Sequence, residues 1–148
     1  MVRDEREIVT WDKLHQLINV MAREIEVMIS MVGSQATDYI VVGIEKGGVI
    51  PALMLSKRLD TMFTTKIESH EYRGRRAVNY LVVDDIADTG RTLSKIAPNL
   101  RYTDITATVH KRNSSKFTPD ITGELITHKK WLSYPWERYP NGYSLPQE

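Results

Sequence analysis

One stretch of the sequence, from Tyr80 to Leu93, limits the possible fold more than any other. It begins with the apolar run Tyr-Leu-Val-Val, which is typical of a strand buried on both faces of a parallel sheet. Two acids, Asp84 and Asp85, end this run, and Asp-Thr-Gly-Arg-Thr at residues 88–92 leads into a helix that we predict to begin near Leu93. A buried strand followed directly by a turn and a helix predicts an α/β fold, in which a mostly parallel, twisted sheet is flanked by helices.

The residues that follow this strand have the chemistry of an anion site. Backbone N–H groups in a loop and at a helix start, beside the hydroxyls of Thr89 and Thr92, favour a bound phosphate. Gly90 lets the backbone approach a phosphate closely or take a positive φ. Asp84 and Asp85 would repel a phosphate alone, but they can accept hydrogen bonds from a ribose diol or hold Mg²⁺. The combination predicts a phosphosugar site, whereas a simple capped helix would not require so many acids.

The same stretch resembles the phosphoribosyl pyrophosphate (PRPP) motif of type I phosphoribosyltransferases. That motif has four apolar residues, two acids, two spacers, Asp, Thr, Gly, any residue and Thr, and every position is filled here. The resemblance implies that PRPP is bound by the residues of this motif, namely Asp84, Asp85, Ile86, Ala87, Asp88, Thr89, Gly90, Arg91 and Thr92.

A second glycine-containing loop follows another predicted buried strand at residues 39–44. Its sequence is Glu-Lys-Gly-Gly, and a helix is predicted from about Val49. In the family, the matching loop is of a Ser-Arg-Gly-Gly type and wraps the pyrophosphate of PRPP with backbone N–H groups. The resemblance implies that PRPP also contacts Lys46, Gly47 and Gly48. Lys46 keeps the charge of the family's Arg without its planar fork, and the sequence does not explain why Glu45 replaces a small hydroxyl residue.

Segments near the two ends of the chain resemble one group within this family. Lys-Trp-Leu-Ser-Tyr-Pro-Trp-Glu at residues 130–137 resembles the Trp-Ile-x-x-Pro-Trp-Asp segment of bacterial xanthine–guanine phosphoribosyltransferases, and residues 8–12 resemble their start. The resemblance implies that Trp131 stacks on a purine and that the backbone around Leu132 binds the edge of the base. It also implies that Lys111 donates a hydrogen bond to O6, which favours 6-oxopurines over adenine. Packing aromatics and a surface lysine are the alternatives for these residues.

A cluster of arginines lies between the third predicted strand and the PRPP strand. Residues 68–79, with Arg-Gly-Arg-Arg at their centre, are predicted to form a short flap hairpin. A guanidinium there can offset the charge of a leaving pyrophosphate, which makes Arg73, Arg75 and Arg76 candidate pyrophosphate contacts. Solvated surface is the alternative.

The reaction implied by the resemblance is Mg²⁺-dependent transfer of a phosphoribosyl group from PRPP to guanine, xanthine or hypoxanthine, with release of pyrophosphate. Asp88 is the candidate catalytic residue because it can accept the N7 proton of the purine or hydrogen-bond to it. Asp85 is the candidate contact to the metal or its waters, and Asp84 to the ribose hydroxyls. The alternatives are a regulator that senses PRPP or a nucleotide on the same fold, and a phosphoribosyltransferase for another base.

Composition excludes several other classes of protein. The 148 residues are expected to form one domain with a small C-terminal hood at about residues 119–148. A net charge of +1 gives no general attraction to nucleic acid or membrane, and the absence of cysteine excludes disulfides and thiolate metal sites. No apolar run approaches the roughly 20 residues of a membrane span, so a cytoplasmic protein is expected. The resemblance also implies a homo-oligomer, either a dimer or a tetramer.

The remaining elements follow from hydrophobic periodicity and from residues that begin or end helices. Thr10 is predicted to cap a helix from Trp11 to about Val32. Further predictions are strands at residues 62–67, 105–110 and 123–127 and a helix at residues 93–100. The tail from His128 has neither helical nor strand periodicity.

Overall fold

A computed structural model describes residues 5–68 and 78–137 of the chain. Most of the predicted flap hairpin, including Arg73, Arg75 and Arg76, lies outside the described residues, as does the end of the tail.

Helices and strands alternate along most of the chain. The elements are β1 (Arg6–Ile8), α1 (Trp11–Met31), β2 (Tyr39–Gly43), α2 (Val49–Leu59), β3 (Met62–Thr64), β4 (Asn79–Ala87), α3 (Arg91–Ile96), β5 (Ile105–Arg112), β6 (Ile121–Ile126) and β7 (Trp131–Ser133). Five of the strands form one sheet in the order β3-β2-β4-β5-β6, and all of its pairings are parallel. The predicted α/β fold is therefore confirmed.

The sheet is covered on both faces. On one face, Leu14, Met21 and Ile25 of α1 and Leu55 of α2 are fully buried in the larger hydrophobic cluster. On the other face, a smaller cluster includes Leu93 of α3. In β4 the side chains of residues 81–83 have no exposed area, which confirms that the apolar run before the two acids is buried on both sides.

The long first helix begins and ends as the sequence predicts. The hydroxyl of Thr10 accepts a hydrogen bond from the N–H of Lys13 at 3.1 Å, which is the contact expected of an N-cap. Its buried residues fall on one stripe, and Gly33 follows the helix end with a φ of +75°. The prediction for this helix is therefore confirmed to within one residue.

Several element boundaries differ from the predictions. Strand β3 ends at Thr64 rather than residue 67, and helix α3 begins at Arg91 and gives way to a 3-10 turn at residues 97–99. Strand β5 continues to Arg112, because its last residues still pair with β4, where Ala87 lies opposite Lys111. Strand β6 begins at residue 121, two residues earlier than predicted.

The tail contains a strand that periodicity did not predict. Residues Trp131–Ser133 form β7, which pairs in parallel with β1 near the other end of the chain. Three residues are too few to show a period, so the prediction of an irregular tail was wrong here. Because β6 belongs to the central sheet, the separate part of the predicted hood begins only after Ile126.

The described residues contain no helix that is long and apolar enough to span a bilayer.

Candidate functional site

Two adjoining cavities lie at the carboxyl end of β4. The first, the loop cavity, has a volume of about 230 Å³ and is lined by residues 84–93, which include every residue of the motif from Asp84 to Thr92. The second, the hood cavity, has a volume of about 100 Å³ and is lined by Asp85, Ile86, Asp88, Arg112, Trp131, Leu132, Tyr134 and Glu137. Asp85, Ile86 and Asp88 border both cavities. In open α/β sheets, this edge of the strands is where ligands bind.

The two acids that end the apolar run are held close to each other. Asp84 is only 8% exposed, and its Oδ1 accepts a hydrogen bond from the N–H of Asp85 at 2.9 Å. Oδ1 of Asp85 accepts from the N–H of Ile86 at 2.7 Å. Burial, followed by the charge of Asp85, raises the pKa of Asp84 to about 8, and burial also raises the pKa of Asp85. Burial of the two neighbouring carboxyl groups therefore favours a proton on the pair at neutral pH.

The second predicted loop lies directly against these acids. A Cβ atom on Gly47 would stand 2.2 Å from Oδ2 of Asp85, and one on Gly48 would stand 2.4 Å from the carbonyl oxygen of Val83. At Gly48 the obstructing atoms are backbone, so only glycine fits, whereas at Gly47 a side chain would displace the Asp85 carboxylate; the two glycines thus allow this loop and β4 to meet at one site. Lys46 is exposed and follows Glu45 through a cis peptide bond. Glu45 is exposed as well, and the structure does not explain its presence.

Gly47→Ala tests this close approach. The added methyl group would push Asp85 or the loop out of place, so we expect the KM for PRPP to rise about tenfold, with a smaller change in kcat. Steady-state kinetics at varied PRPP measure both constants, and an unchanged thermal midpoint would exclude a general loss of fold. A wild-type KM would show that this contact does not shape the PRPP site.

Gly90 has the conformation that the sequence predicted for it. Its φ is +89°, and a Cβ atom there would stand 2.5 Å from the N atom of Phe117. The carbonyl oxygen of Thr89 accepts a hydrogen bond from the N–H of Lys116 at 3.0 Å, and the Thr89 hydroxyl accepts from the N–H of Arg91 at 3.2 Å. The segment after β5 therefore packs against this loop and hydrogen-bonds to it.

Asp88 forms an ion pair that the sequence analysis did not identify. Its Oδ1 lies 2.8 Å from Nε of Arg112, the last residue of β5. Arg112 follows the candidate Lys111 at a strand end beside the PRPP strand. Its place next to Lys111 at a strand end is the signal in the sequence that could have indicated a role for Arg112.

Two of the three candidate purine residues line the hood cavity. Trp131 is 47% exposed, which leaves a ring face available to a ligand, whereas Leu132 is buried. Lys111 lines neither cavity, and its Nζ donates a hydrogen bond to the carbonyl oxygen of Arg112 at 3.1 Å. The structure therefore brings Trp131 and Leu132 together in the hood cavity and leaves Lys111 outside its lining, near the end of β5.

Tyr134 and Glu137 complete the wall of the hood cavity. Glu137 accepts a hydrogen bond from the N–H of Tyr134, and the Tyr134 ring stacks on Trp136 with 4.7 Å between ring centroids. The Tyr134 hydroxyl donates to the carbonyl oxygen of Asp85 at 3.3 Å and lies 2.8 Å from Nδ1 of His110. Both residues belong to the segment that carried the resemblance, but no pattern in the sequence distinguished their roles.

The ionisation of this wall follows from its burial. Burial raises the pKa of the Tyr134 hydroxyl well above its usual value, and the nearby charges of Asp85 and Asp84 add to the effect. Burial lowers the pKa of His110, although Glu124 opposes this shift. Nε2 of His110 lies 3.3 Å from Oε1 of Glu124 but without the geometry of a hydrogen bond. The phenol and the imidazole are thus both neutral at neutral pH and act as structural supports.

The acids of the site could contribute only part of a metal's coordination. In residues 5–68 and 78–137, no cluster of three or more His, Asp or Glu side chains could hold a metal ion. Mg²⁺ is commonly held by one or two carboxylates, with waters and substrate phosphates completing its octahedron. The donor set of Asp84 and Asp85 fits a metal that arrives with a phosphorylated substrate.

Comparison with known proteins connects this geometry to a family. No family model matches the sequence. The chain is 25% identical to a xanthine-guanine phosphoribosyltransferase from Cereibacter sphaeroides, with 87% of this chain and 85% of that protein covered. It is 24% identical to the protein of the same name from Desulfotalea psychrophila, over 87% of this chain and 84% of the other.

Solved structures show the same fold. A purine phosphoribosyltransferase from Pyrococcus horikoshii matches 97% of this chain and 99% of its own with a TM-score of 0.71, at 20% identity. A xanthine-guanine-hypoxanthine phosphoribosyltransferase from Helicobacter pylori matches 90% and 94% with a TM-score of 0.66, at 15% identity. The resemblance stated from the motifs is confirmed: the chain is similar in sequence to xanthine-guanine phosphoribosyltransferases and has the fold of the purine phosphoribosyltransferases.

Proposed function

We propose that this chain transfers the phosphoribosyl group of PRPP to a 6-oxopurine, namely guanine, xanthine or hypoxanthine. The observation that supports this most directly is the pair of adjoining cavities, one formed by the PRPP motif and one lined by Trp131 and Leu132, with Asp88 at their junction. The names of the curated relatives support the same substrates.

The loop cavity and the loop at residues 46–48 together offer groups that can bind each part of PRPP. The loop at residues 88–92 offers backbone N–H groups and two threonine hydroxyls to the 5′-phosphate. Asp84 can accept hydrogen bonds from the ribose hydroxyls, and the loop at residues 46–48 can bind the pyrophosphate through its backbone. Arg73, Arg75 and Arg76 remain proposed pyrophosphate contacts.

Mg²⁺ is the proposed cofactor, with Asp85 as the residue that contacts the ion or its waters. When bound, the ion would stabilise the negative charge that grows on the departing pyrophosphate. Asp85 borders both cavities and lies against Gly47, so it is near the place where pyrophosphate would leave.

The chemical step requires one bond to form, one bond to break and one proton to leave. A purine ring nitrogen bonds to the anomeric carbon as the bond from that carbon to the pyrophosphate oxygen breaks, with inversion of configuration. Asp88 accepts the N7 proton of the purine, or hydrogen-bonds to it, and the proton passes on to solvent. Because the protein forms no covalent bond with the substrates, positioning supplies the larger share of the rate.

Lys111→Ala and Trp131→Ala test the choice of base. Loss of a charged hydrogen bond to O6 is expected to lower kcat/KM for guanine, xanthine and hypoxanthine alike by roughly tenfold, the lower end of the range for such bonds. Loss of stacking on Trp131 is expected to lower kcat/KM for every purine by a similar factor of about tenfold. If either variant kept the wild-type value for guanine, its residue would not belong to the purine site.

The proposed function is tested by one assay. Purified protein is incubated with PRPP, Mg²⁺ and, separately, guanine, xanthine, hypoxanthine, adenine and uracil, and pyrophosphate release is measured. Release is expected with the three 6-oxopurines and not with adenine or uracil. Release with uracil alone would indicate a transferase for another base.

A second candidate is a protein that binds a nucleotide without transferring the phosphoribosyl group. It is favoured by a structure of a protein from Neisseria gonorrhoeae with bound ppGpp, which matches 90% of this chain and 89% of its own at 21% identity and a TM-score of 0.62. Nucleotide binding without pyrophosphate release in any arm of the assay would support this candidate.

A homo-oligomer is also proposed. Val27, Met31 and Val32 near the end of α1 are apolar and more than half exposed, and a second copy would bury such residues. Light scattering in solution gives the mass that decides between monomer, dimer and tetramer.

A further inference from the structure

The guanidinium of Arg112 contacts three acceptors in two separate segments of the chain. Nε donates to Oδ1 of Asp88 at 2.8 Å, Nη1 donates to the carbonyl oxygen of His128 at 2.9 Å, and Nη2 donates to that of Lys130 at 2.7 Å. The Arg112 side chain is only 12% exposed, whereas the Asp88 side chain with which it pairs is 49% exposed. A guanidinium presents its donors in a rigid plane, which allows one side chain to fix three acceptors relative to one another.

The three acceptors belong to the two halves of the site. Asp88 borders the loop cavity and the hood cavity. The carbonyl groups of His128 and Lys130 belong to the segment that leads directly into Trp131, whose side chain lines the hood cavity. Arg112 therefore joins the candidate catalytic acid to the main chain that precedes the candidate base-stacking residue.

The contact with Asp88 has a specific consequence for the carboxylate. Because Oδ1 is engaged by Arg112, rotation of the carboxylate is restricted and Oδ2 is left for an N–H group of a base in the hood cavity. A charge-assisted hydrogen bond is stronger and shorter than a neutral one, so it can hold this orientation.

We infer that Arg112 is a positioning residue for the transfer reaction. It orients Asp88 towards the purine, and with the same guanidinium it fixes the segment that places Trp131 against the base. This inference rests on the proposed function, and it predicts that loss of Arg112 affects the purine and the chemical step but not the binding of PRPP.

The test compares three variants by steady-state kinetics. For Arg112→Ala we expect kcat to fall roughly tenfold and the KM for guanine to rise roughly tenfold, because the acid and the base site lose their alignment, whereas the KM for PRPP stays near the wild-type value. Arg112→Lys retains a cation that can pair with Asp88, so it should recover part of kcat, but an ammonium cannot hold all three acceptors and the raised guanine KM should persist. Arg58→Ala is the control, since Arg58 lies near the carboxyl end of α2, the opposite end from Gly48, and pairs there with Glu26.

A double-mutant cycle separates the two contacts. If Arg112 acts on the chemical step through Asp88, Arg112→Ala should lower kcat much less in an Asp88→Asn background than in wild type. Its effect on the KM for guanine should remain in both backgrounds, because that effect runs through His128 and Lys130.

Added guanidinium distinguishes positioning from a general structural role. Millimolar guanidinium can occupy the space left in Arg112→Ala and is expected to restore part of kcat, whereas it should not activate wild type or Arg58→Ala. If Arg112→Ala loses its cooperative thermal transition, Arg112→Lys still tests the separation between kcat and the guanine KM.

Each outcome has a definite meaning. A wild-type protein that transfers nothing to any purine overturns the proposed function and this inference together. A wild type that is active, with kcat and guanine KM unchanged in both Arg112 variants, overturns this inference alone. Equal increases in the KM for PRPP and guanine, with no response to guanidinium, would make Arg112 a residue of the fold only and would also overturn it.

Discussion

Asp88→Asn is expected to lower kcat about 10²-fold while the KM for PRPP stays near its wild-type value. Asparagine keeps the size of the side chain and can still accept a hydrogen bond from Arg112, but it cannot take a proton from the purine. Because Asp88 lies where the two cavities meet, the loss should fall on the chemical step and on the purine rather than on PRPP. Rates at saturating PRPP and guanine measure kcat directly.

Asp60→Asn is the matched control for this variant. Asp60 is exposed and caps the carboxyl end of α2, whereas Gly48 lies at the other end of that helix. Its φ is 56°, a conformation that asparagine also tolerates. The control should keep wild-type kinetics. An Asp88→Asn protein that lost PRPP affinity and turnover in equal measure would place Asp88 in the ribose or metal site instead.

The sequence predicted the part of the site whose residues lie close together along the chain. An apolar run, two acids and a threonine-glycine loop follow one another within residues 80–93, and the structure folds them into one cavity. The positive φ of Gly90 and the cap at Thr10 were also predictable, because each depends on a few neighbouring residues. The sheet followed from the same runs, since buried strands alternating with helices leave few other arrangements.

The part that was missed depends on contacts between distant residues. Strand β7 exists because Trp131–Ser133 pairs with β1 near the opposite end of the chain, and no periodicity in the local sequence indicates that pairing. Arg112 stood beside Lys111 in the sequence, but its role depends on where Asp88, His128 and Lys130 lie in space. Hydrophobic periodicity contains no information about such polar contacts.

The acids that make the site also make the protein less stable. Asp84 is buried next to Asp85, and its pKa in the folded chain is about 8 against an ordinary value of 3.8. Between these two values the folded chain binds more protons than the unfolded chain does. The contribution of Asp84 to the free energy of unfolding therefore falls as the pH rises from about 4 to about 8, since ionisation opposes burial of the carboxyl group.

Asp84→Asn should remove this dependence and damage the site at the same time. An amide carries no charge at any pH in this range, so at about pH 8 the thermal midpoint of the variant should exceed that of wild type by several degrees. The same change removes an acceptor proposed for the ribose hydroxyls, and the KM for PRPP should rise roughly 10²-fold. Thermal unfolding with a chelator present, at about pH 6 and about pH 8, measures the first effect, and steady-state kinetics with Mg²⁺ measure the second.

The two pH values make the stability prediction specific to Asp84. The midpoint of Asp84→Asn relative to those of wild type and of the exposed-site control Asp60→Asn should therefore be higher at the higher pH than at the lower pH. If the midpoints of wild type and Asp84→Asn changed equally with pH, Asp84 would already be ionised in the folded chain. If Asp84→Asn were less stable than wild type at the higher pH, the negative charge that strengthens the hydrogen bond from the Asp85 N–H to Asp84 would outweigh the penalty of burying that charge. An increase in stability together with a loss of PRPP binding would show that the fold tolerates an unfavourable buried carboxyl pair because the substrate site requires it.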